Sequence, residues 1–361
     1  MIHELSIKGF TVFREAKFAF ARGINVVIGS NGAGKSHVLK LAYTAARWSQ
    51  EMALREKTQI RPDKATLQKE MARKLMGVFR CEGVGRLSTR GQGVRRTEVD
   101  VTFHDRPKAA MRVSFSTKSS VDVVLDKVPS EFCGEEAVFF PIKEMLTMFP
   151  GFTSLYRNYD LQIDETYYDL CLALEKPLPR GPKLEQVRPM LATVESTLQG
   201  SIELREGRFY LRQQKGGDFE IPLVAEGFRK LGTLAYLLAN GTLARQSVLF
   251  WDEPETNLNP AYMAKLAELL VAIARNGTQV IAATHSLFMM RELSLLLGRS
   301  DYENVEKRFF ALELTEDGAR AKDGASAEEI EPIDALEAEV EQSEQYLNSQ
   351  EQQNPHDPAI R

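Results

Sequence analysis

Residues 24–36 read Ile-Asn-Val-Val-Ile-Gly-Ser-Asn-Gly-Ala-Gly-Lys-Ser. The apolar run at the start predicts a buried strand, and the residues that follow predict a loop leading into a helix. Glycines in such a loop let backbone N–H groups turn toward phosphate oxygens, the lysine reaches the β- and γ-phosphates, and the final hydroxyl can bind Mg²⁺. We therefore predict a site for ATP or GTP with Mg²⁺. Its expected contacts are Ser30, Asn31, Gly32, Ala33, Gly34, Lys35 and Ser36.

A second apolar run, residues 247–251, leads directly into Asp252, Glu253, Pro254 and Glu255. Such a run between helical patterns is typical of a parallel strand buried on both faces. Open α/β sheets place their ligand chemistry at the carboxyl ends of these strands. A metal-bound nucleotide needs one carboxylate for the Mg²⁺ and another to orient or deprotonate water. We assign Asp252 to the metal and Glu253 to the water; the alternative is a solvated helix start.

A third apolar run, residues 278–283, ends in Thr284, His285 and Ser286. A polar trio at the end of a parallel strand is expected at the same sheet edge as the two acids. His285 could there contact the γ-phosphate or the attacking water, and so sense which nucleotide is bound. The alternative is a structural histidine with no part in the chemistry.

Between these two runs, the sequence carries both signals of a helix of ordinary length. Asn259 and Pro260 form an N-cap and first-position pair, and Asn276 followed by Gly277 forms a stop. Strand, helix and strand in this order form a βαβ unit, which favours a parallel sheet.

The spacing of the motifs is too wide for a compact RecA-like core, because Lys35 and Asp252 are 217 positions apart. The order of phosphate loop, long insertion, glycine-led helix, Asp-Glu pair and histidine resembles that of ABC-type ATPases. Residues 223–241 resemble the signature helix of the RecF, SMC and OLD branch, residues 252–260 its Walker B motif and D-loop, and residues 2–10 its first strand. The resemblance implies an α/β fold, a two-lobed P-loop ABC-type ATPase head with a mixed sheet and helices on both faces.

The resemblance also implies a role for Gly227, which leads the signature-like helix. In this branch the start of that helix caps the γ-phosphate held by the other protomer, which implies a homodimer or a higher even oligomer. Ala225 stands where a serine is common in the branch. The contact would then rest on the Gly227 backbone, the helix N-terminus, and Arg229 or Lys230. The alternative is an amphipathic core helix without this role.

Residues 137–144 occupy the place, in chain order, of the loop that links the two lobes in better-known relatives and carries a glutamine there. No glutamine is present in this stretch. Lys143 and Glu144 are the candidates to take its place near the Mg²⁺. The alternative is an ordinary strand end broken by Pro141.

We expect residues 1–316 to form one composite ATPase domain, with insertions at about 49–118 and 145–200. Residues 317–361 are expected to form an acidic C-terminal helix and a disordered tail. Apolar residues recur there at three- and four-residue steps over residues 330–340, with glutamates between them. This pattern predicts an amphipathic helix, and the Gln- and Asn-rich end is typical of disorder.

The net charge of −4 hides two regions of opposite charge. Residues 54–118 hold 16 Lys and Arg against 7 Asp and Glu, whereas residues 313–344 hold 12 acids and 2 bases. Positive charge supplies most of the non-specific affinity for nucleic acid, so the basic region 54–118 is a candidate contact for DNA or RNA. Solvated surface is the alternative, because the hairpin-like part of this region lacks an interleaved aromatic platform.

No apolar stretch reaches the length of a membrane span, and Met1 leads straight into the first strand without a signal peptide. We therefore expect a cytoplasmic protein with no membrane contact. Cys81, Cys133 and Cys171 lack metal-ligand spacing, so reduced structural thiols are expected and Mg²⁺ is the only metal inferred.

In overall layout the chain resembles the ATPase subunits of two-component bacterial phage-defence systems. The resemblance implies a slow ATPase whose output is executed by a separate effector, a nuclease or a toxin. Two alternatives stay open. One is a RecF-like DNA-binding ATPase of repair or recombination, and the other is a nucleotide-gated scaffold that binds ATP without hydrolysing it.

Overall fold

The computed structural model describes residues 1–330, except residues 59, 180, 181, 214 and 245, and also residues 342, 345 and 346. The strands of this part of the chain, β1 to β14, are Ile2–Phe10, Phe13–Ala19, Ile24–Gly29, Arg96–Phe103, Met111–Ser116, Val124–Lys127, Ala137–Phe140, Gly200–Arg205, Arg208–Gln213, Gly217–Glu220, Val248–Asp252, Gln279–Thr284, Lys307–Thr315 and Gly318–Gly324. Its α-helices, α1 to α8, are Lys35–Thr58, Lys64–Phe79, Phe152–Asn158, Glu165–Leu174, Pro182–Leu198, Glu226–Ala239, Pro260–Arg275 and Leu287–Leu297. Of the expected C-terminal helix and tail, residues 317–361, the structure describes only residues 317–330, 342, 345 and 346.

A central mixed sheet carries the three apolar runs that the sequence singles out. Its strand order is β14-β13-β3-β12-β11-β7, and neighbours pair in parallel from β13 to β7, with β14 antiparallel at the edge. Strand β12 lies between β3 and β11. Thr284 pairs with Ile28, and Asp252 pairs with Ala283. The carboxyl ends of β3, β12 and β11 therefore meet at one edge of the sheet.

The central sheet separates two hydrophobic cores. Successive side chains of a strand point to opposite faces; accordingly Val27 and Phe250 enter one core, whereas Val26 and Trp251 enter the other. The first core also contains α1, α2 and a second, antiparallel sheet with the order β2-β1-β4-β5-β6. The other core contains helices α4 to α8 and a small antiparallel sheet, β10-β9-β8. Helices therefore cover both faces of the central sheet.

Helix α7 has the caps that the sequence predicts. The Asn259 side chain accepts a hydrogen bond from the Tyr262 N–H, Pro260 stands at the first helical positions, and Asn276 is the C-cap residue. The helix connects β11 to β12 and completes the predicted βαβ unit. Among the described helices, none is both long enough and apolar enough to cross a bilayer.

Two of the expected boundaries fall within continuous elements of the structure. Helix α1 continues through residue 49 to Thr58, and β4 pairs with β1, so the region 49–118 supplies strands of the antiparallel sheet rather than a separate insertion. The boundary between residues 316 and 317 falls in the turn of the β13–β14 hairpin, so the central sheet extends to Gly324. The region 145–200 holds α3, α4 and α5 and is mainly helical.

A buried ionic cluster joins α1, α2 and α4. Lys74 is fully buried, and its ammonium donates to Glu51, Glu165 and Asp169 at 2.8, 2.9 and 2.8 Å. The Tyr43 hydroxyl donates to Asp169 at 2.6 Å. Burial lowers the pKa of Lys74, but the three acids outweigh it and raise the pKa above its usual value. The three carboxylates lie close enough together to hold a cation, and the lysine fills that place.

Candidate nucleotide-binding site

The predicted phosphate loop lies between β3, which ends at Gly29, and α1, which begins at Lys35. Gly32 and Gly34 have φ angles of 83° and 97°, a region that favours glycine. A Cβ at Gly34 would also lie 2.7 Å from the Phe13 ring, whereas one at Gly32 would meet nothing within 4 Å. Gly34 is therefore required by both conformation and packing, and Gly32 by conformation alone.

The Lys35 side chain lies within this loop. Its ammonium donates hydrogen bonds to the carbonyl oxygens of Gly29, at 2.7 Å, and Ser30, at 3.0 Å. Burial lowers the pKa of Lys35, and the carboxylates that follow β11 oppose this fall. The lysine therefore lies near acids that are more than 200 positions away in sequence. This agrees with the prediction that the three strands end at the same edge of the sheet.

The two predicted metal ligands meet at the end of β11. Asp252 is buried, and burial raises the pKa of its carboxyl, while a hydrogen bond from the Ser36 hydroxyl opposes the rise. The Asp252 Oδ1 atom makes no hydrogen bond to any described residue. A buried carboxylate oxygen without a partner, next to a hydroxyl, suits the oxygen coordination that Mg²⁺ prefers. The residues present therefore fit the ion.

Glu253 adopts a left-handed backbone conformation with a φ of 50°. Such a conformation costs a non-glycine residue about 1–3 kcal/mol. A hydrogen bond of 2.9 Å from the Glu253 N–H to the Ala283 carbonyl holds it in place. The carboxylate lies 3.4 Å from Nδ1 of His285 and accepts from the Thr256 hydroxyl at 3.3 Å. These contacts fix the position of the Glu253 carboxylate, which a group that orients water requires.

His285 follows β12 and has a side chain that is 47% exposed. Because β12 runs parallel to β11, the histidine leaves the sheet beside the two acids. Its Nδ1 atom lies 3.4 Å from Glu253 Oε1 and 3.8 Å from Glu255 Oε1. The carboxylates hold one side of the imidazole, so its exposed side can meet a bound ligand.

Gly227 lies in the first turn of α6 and packs against the segment that follows the acids. A Cβ at this position would lie 2.6 Å from the Asn257 carbonyl oxygen and 2.6 Å from Leu258 Cδ2. Glycine is therefore required here by packing within the same chain. The N-cap residue, Ala225, makes no side-chain hydrogen bond to the helix. The first N–H groups of α6 thus lack the acceptor that a serine would supply.

Both cations near the start of α6 have partners within the chain. Arg229 donates to the Thr147 hydroxyl at 2.6 Å and pairs with Glu144 at 3.1 Å. Lys230 is buried and donates to the Thr256 carbonyl at 3.0 Å. Burial lowers the pKa of Lys230, and nearby carboxylates oppose the fall. Glu144, a candidate residue near the Mg²⁺, thus forms an ion pair with the signature-like helix instead.

Sequence reasoning missed three residues that the structure brings to this edge: Lys40, Asp164 and Glu255. The charge of Lys40 opposes the rise in the pKa of Asp252, and its ammonium donates to Asp164, the N-cap of α4, at 2.8 Å. The available signal was helical spacing, since Lys40 lies one turn after Ser36. Glu255 belongs to the Asp-Glu-Pro-Glu stretch, but the pattern alone indicates no role for it.

Acidic side chains that form ion pairs compensate much of the positive charge in the basic region 54–118. Acids from outside the region neutralise several of its cations, in the pairs Arg73–Glu165, Lys74–Asp169, Arg96–Asp126 and Arg106–Glu135. Arg86 and Arg90 are exposed. The composition of the region therefore overstates the positive charge that its surface presents.

A phosphate loop, paired acids at the end of β11 and a histidine after the strand between them together form the arrangement of a P-loop nucleotide-binding fold. Two family matches agree with this class. Residues 145–291 match a family described as "AAA domain, putative AbiEii toxin, Type IV TA system", and residues 4–41 match one described as "AAA domain". No curated protein matches the chain.

Solved structures of SMC head domains are similar to this chain. The SMC head bound to the C-winged helix domain of ScpA has a TM-score of 0.52 at 13% identity, and the match covers 91% of this chain and 98% of that chain. An SMC head domain from Thermotoga maritima has a TM-score of 0.47 at 14% identity, over 89% of this chain and 98% of that one. The first likeness confirms the predicted α/β fold, with a mixed sheet and helices on both faces. Together with the family matches, it supports a nucleotide-binding ATPase.

Proposed function

We propose that this protein binds ATP with Mg²⁺ and hydrolyses it to ADP and phosphate. One observation carries the proposal: Lys35, Ser36, Asp252, Glu253 and His285 meet at one edge of the central sheet. They come from three strand ends that are distant in sequence. Between them they can supply anion binding, metal binding, water activation and phosphate contact, which phosphoryl transfer to water requires.

The proposed roles follow from the contacts of each residue. Lys35 and the N–H groups of the loop bind the β- and γ-phosphates. Ser36 and Asp252 would hold Mg²⁺, which neutralises charge on the phosphates when it is bound. Glu253 orients the attacking water and accepts its proton, and His285 contacts the γ-phosphate. Positioning and charge neutralisation supply most of the rate in such in-line transfers.

The proposal includes assembly as a homodimer or a higher even oligomer, with the start of α6 in one copy capping the γ-phosphate bound by the other. The N-terminus of α6 supports this, because its first N–H groups lack a side-chain cap and the positive end of the helix dipole lies there. Ala225 supplies no hydroxyl, so the contact rests on backbone groups around Gly227. We therefore expect slow turnover.

The output of the ATPase is proposed to pass to a separate effector, a nuclease or a toxin, in bacterial anti-phage defence within the cytoplasm. The description of the matched family as a putative AbiEii toxin of a type IV TA system supports a link to such systems. Co-purification with the product of a neighbouring gene tests this part. Isolation of a lone homodimer, with no second component, counts against it.

Mg²⁺-dependent ATP hydrolysis by the purified protein tests the enzymatic part. Glu253→Gln removes the water-activating carboxylate, and we expect turnover to fall about 100-fold or more while ATP binding is retained. Glu268→Gln is the matched control, because Glu268 is exposed on α7, and it should leave turnover unchanged. A wild-type protein that binds ATP without turnover would instead support the nucleotide-gated scaffold.

A DNA-binding role in repair or recombination is the second candidate, favoured by the exposed Arg86 and Arg90. It predicts ATP turnover stimulated by duplex DNA, with the stimulation lost when Arg86 and Arg90 become glutamate. If duplex DNA does not raise the rate of ATP turnover and these substitutions do not change it, the DNA-binding role is excluded.

A further inference from the structure

Glu255 has no role in the chemistry proposed above, yet it is the most buried of the three acids around the end of β11. The Glu255 side chain is 4% exposed, compared with 22% for the Glu253 side chain. Its Oε1 atom accepts a hydrogen bond from the Thr284 hydroxyl and another, at 3.3 Å, from the His285 N–H. Glu255 thus holds the end of β12 at the point where His285 leaves the sheet.

A carboxylate in this position is costly unless charge and hydrogen bonds compensate it. Lys35 and Lys230 both feel its negative charge, which opposes the fall that burial causes in the pKa of each lysine. Its second oxygen, Oε2, makes no hydrogen bond to any described residue. A position that served packing alone would be filled at lower cost by an apolar side chain. The retained acid therefore points to a role in the site.

We propose that Glu255 is a positioning residue that fixes His285 against Glu253 during ATP hydrolysis. The proposal rests on the proposed function and deepens it. Glu255 holds the backbone of His285 directly and the preceding residue through its hydroxyl, and its Oε1 lies 3.8 Å from the imidazole Nδ1. The same nitrogen lies 3.4 Å from Glu253. The imidazole therefore stands between two carboxylates, one at the reacting water and one buried behind it.

Glu255→Ala removes the acceptor of both hydrogen bonds. We expect kcat to fall about tenfold or more, as for the loss of a hydrogen bond to a charged group. The Kd for a non-hydrolysable ATP analogue should change by less than about threefold, because the phosphate loop is untouched. Glu255→Gln is the conservative variant. Its amide oxygen accepts the same two bonds, so kcat should stay within about threefold of wild type.

A double-mutant cycle with His285→Ala separates positioning from a general structural role. If Glu255 acts through the histidine, Glu255→Ala causes no further loss of kcat in a His285→Ala protein. Thr284→Val offers a second route to the same cycle, because it removes the hydroxyl that Glu255 holds and keeps the carboxylate. It replaces Glu255→Ala if that variant does not fold, and its loss of kcat should likewise vanish in the His285→Ala protein.

Losses of kcat that add in full would overturn the proposal and leave the proposed ATPase intact. The same holds if Glu255→Gln is as impaired as Glu255→Ala. A wild-type protein that hydrolyses no ATP would overturn both, because no step that depends on His285 would then exist for Glu255 to position. Wild-type turnover alone distinguishes these two failures.

Discussion

Alanine at Gly227 tests the close packing of α6 against the segment that follows the acids. Gly227 lies within a helix, where glycine to alanine normally stabilises by about 0.5–1 kcal/mol. Here the new methyl group would lie 2.6 Å from the Asn257 carbonyl oxygen, a backbone atom that cannot rotate aside. Overpacking of this kind costs about 1–3 kcal/mol. We therefore expect a net loss of about 1–2 kcal/mol in the free energy of unfolding.

Gly232 on the same helix is the matched control. A Cβ there would meet Ile202 Cδ1 at 2.9 Å and Leu146 Cδ1 at 3.3 Å, and both atoms end flexible side chains. Gly232→Ala should therefore be about neutral, with the gain in helix propensity offset by a small rearrangement. Urea unfolding followed by circular dichroism measures both variants. ATP turnover should fall only in Gly227→Ala, because the displaced segment continues from Glu253.

Equal stability of the two variants, or a more stable Gly227→Ala, would refute the packing argument. A Gly227→Ala protein that loses stability but hydrolyses ATP at the wild-type rate would confirm the packing. It would refute the link between this segment and the chemistry.

Two further predictions test parts of the fold outside the site. Lys74→Met removes the cation that bonds to all three carboxylates of the ionic cluster and should lower the free energy of unfolding by about 3–5 kcal/mol. Lys69→Met, at an exposed position, should lower it by less than about 0.5 kcal/mol. Equal losses in urea unfolding would contradict the ionic cluster. Burial raises the pKa of Cys133 and Cys171 to about 12, so both remain thiols at pH 8. Ellman's reagent should then label the half-buried Cys81 first in the native protein, whereas rapid labelling of all three would contradict the burial.

Strands β3, β11 and β12 of the central sheet could be predicted because each carries a local signal, an apolar run that ends in polar residues. The order of the strands could not, since no local pattern shows that β12 lies between β3 and β11. Strand β4 lies within the region expected as a basic insertion, because charged residues occupy several of its outward positions. Its inward positions, Thr97, Val99, Val101 and Phe103, are buried in strict alternation. That period of two was the signal available in the sequence.

The residues of the candidate site also fall into two groups, those that the sequence predicts and those that it does not. Lys35, Asp252 and His285 each stand at the carboxyl end of a strand or shortly after it, so parallel pairing alone brings them to one edge. Lys230 and Glu255 reach that edge through tertiary packing, from a helix on another part of the chain and from a bend after β11. Their positions depend on contacts such as the bond from Lys230 to the Thr256 carbonyl, which no spacing in the sequence encodes.

The end of β12 makes hydrogen bonds to both Glu253 and Glu255. The Ala283 carbonyl accepts from the strained N–H of Glu253, and the next residue, Thr284, donates to Glu255. The same strand end then carries His285 itself. Relaxing the backbone of Glu253 would break its bond to Ala283, which explains why a non-glycine residue keeps a left-handed conformation here. The geometry proposed for hydrolysis therefore depends on the pairing of two buried strands, β11 and β12, and a shift between them would move the acid and the histidine together.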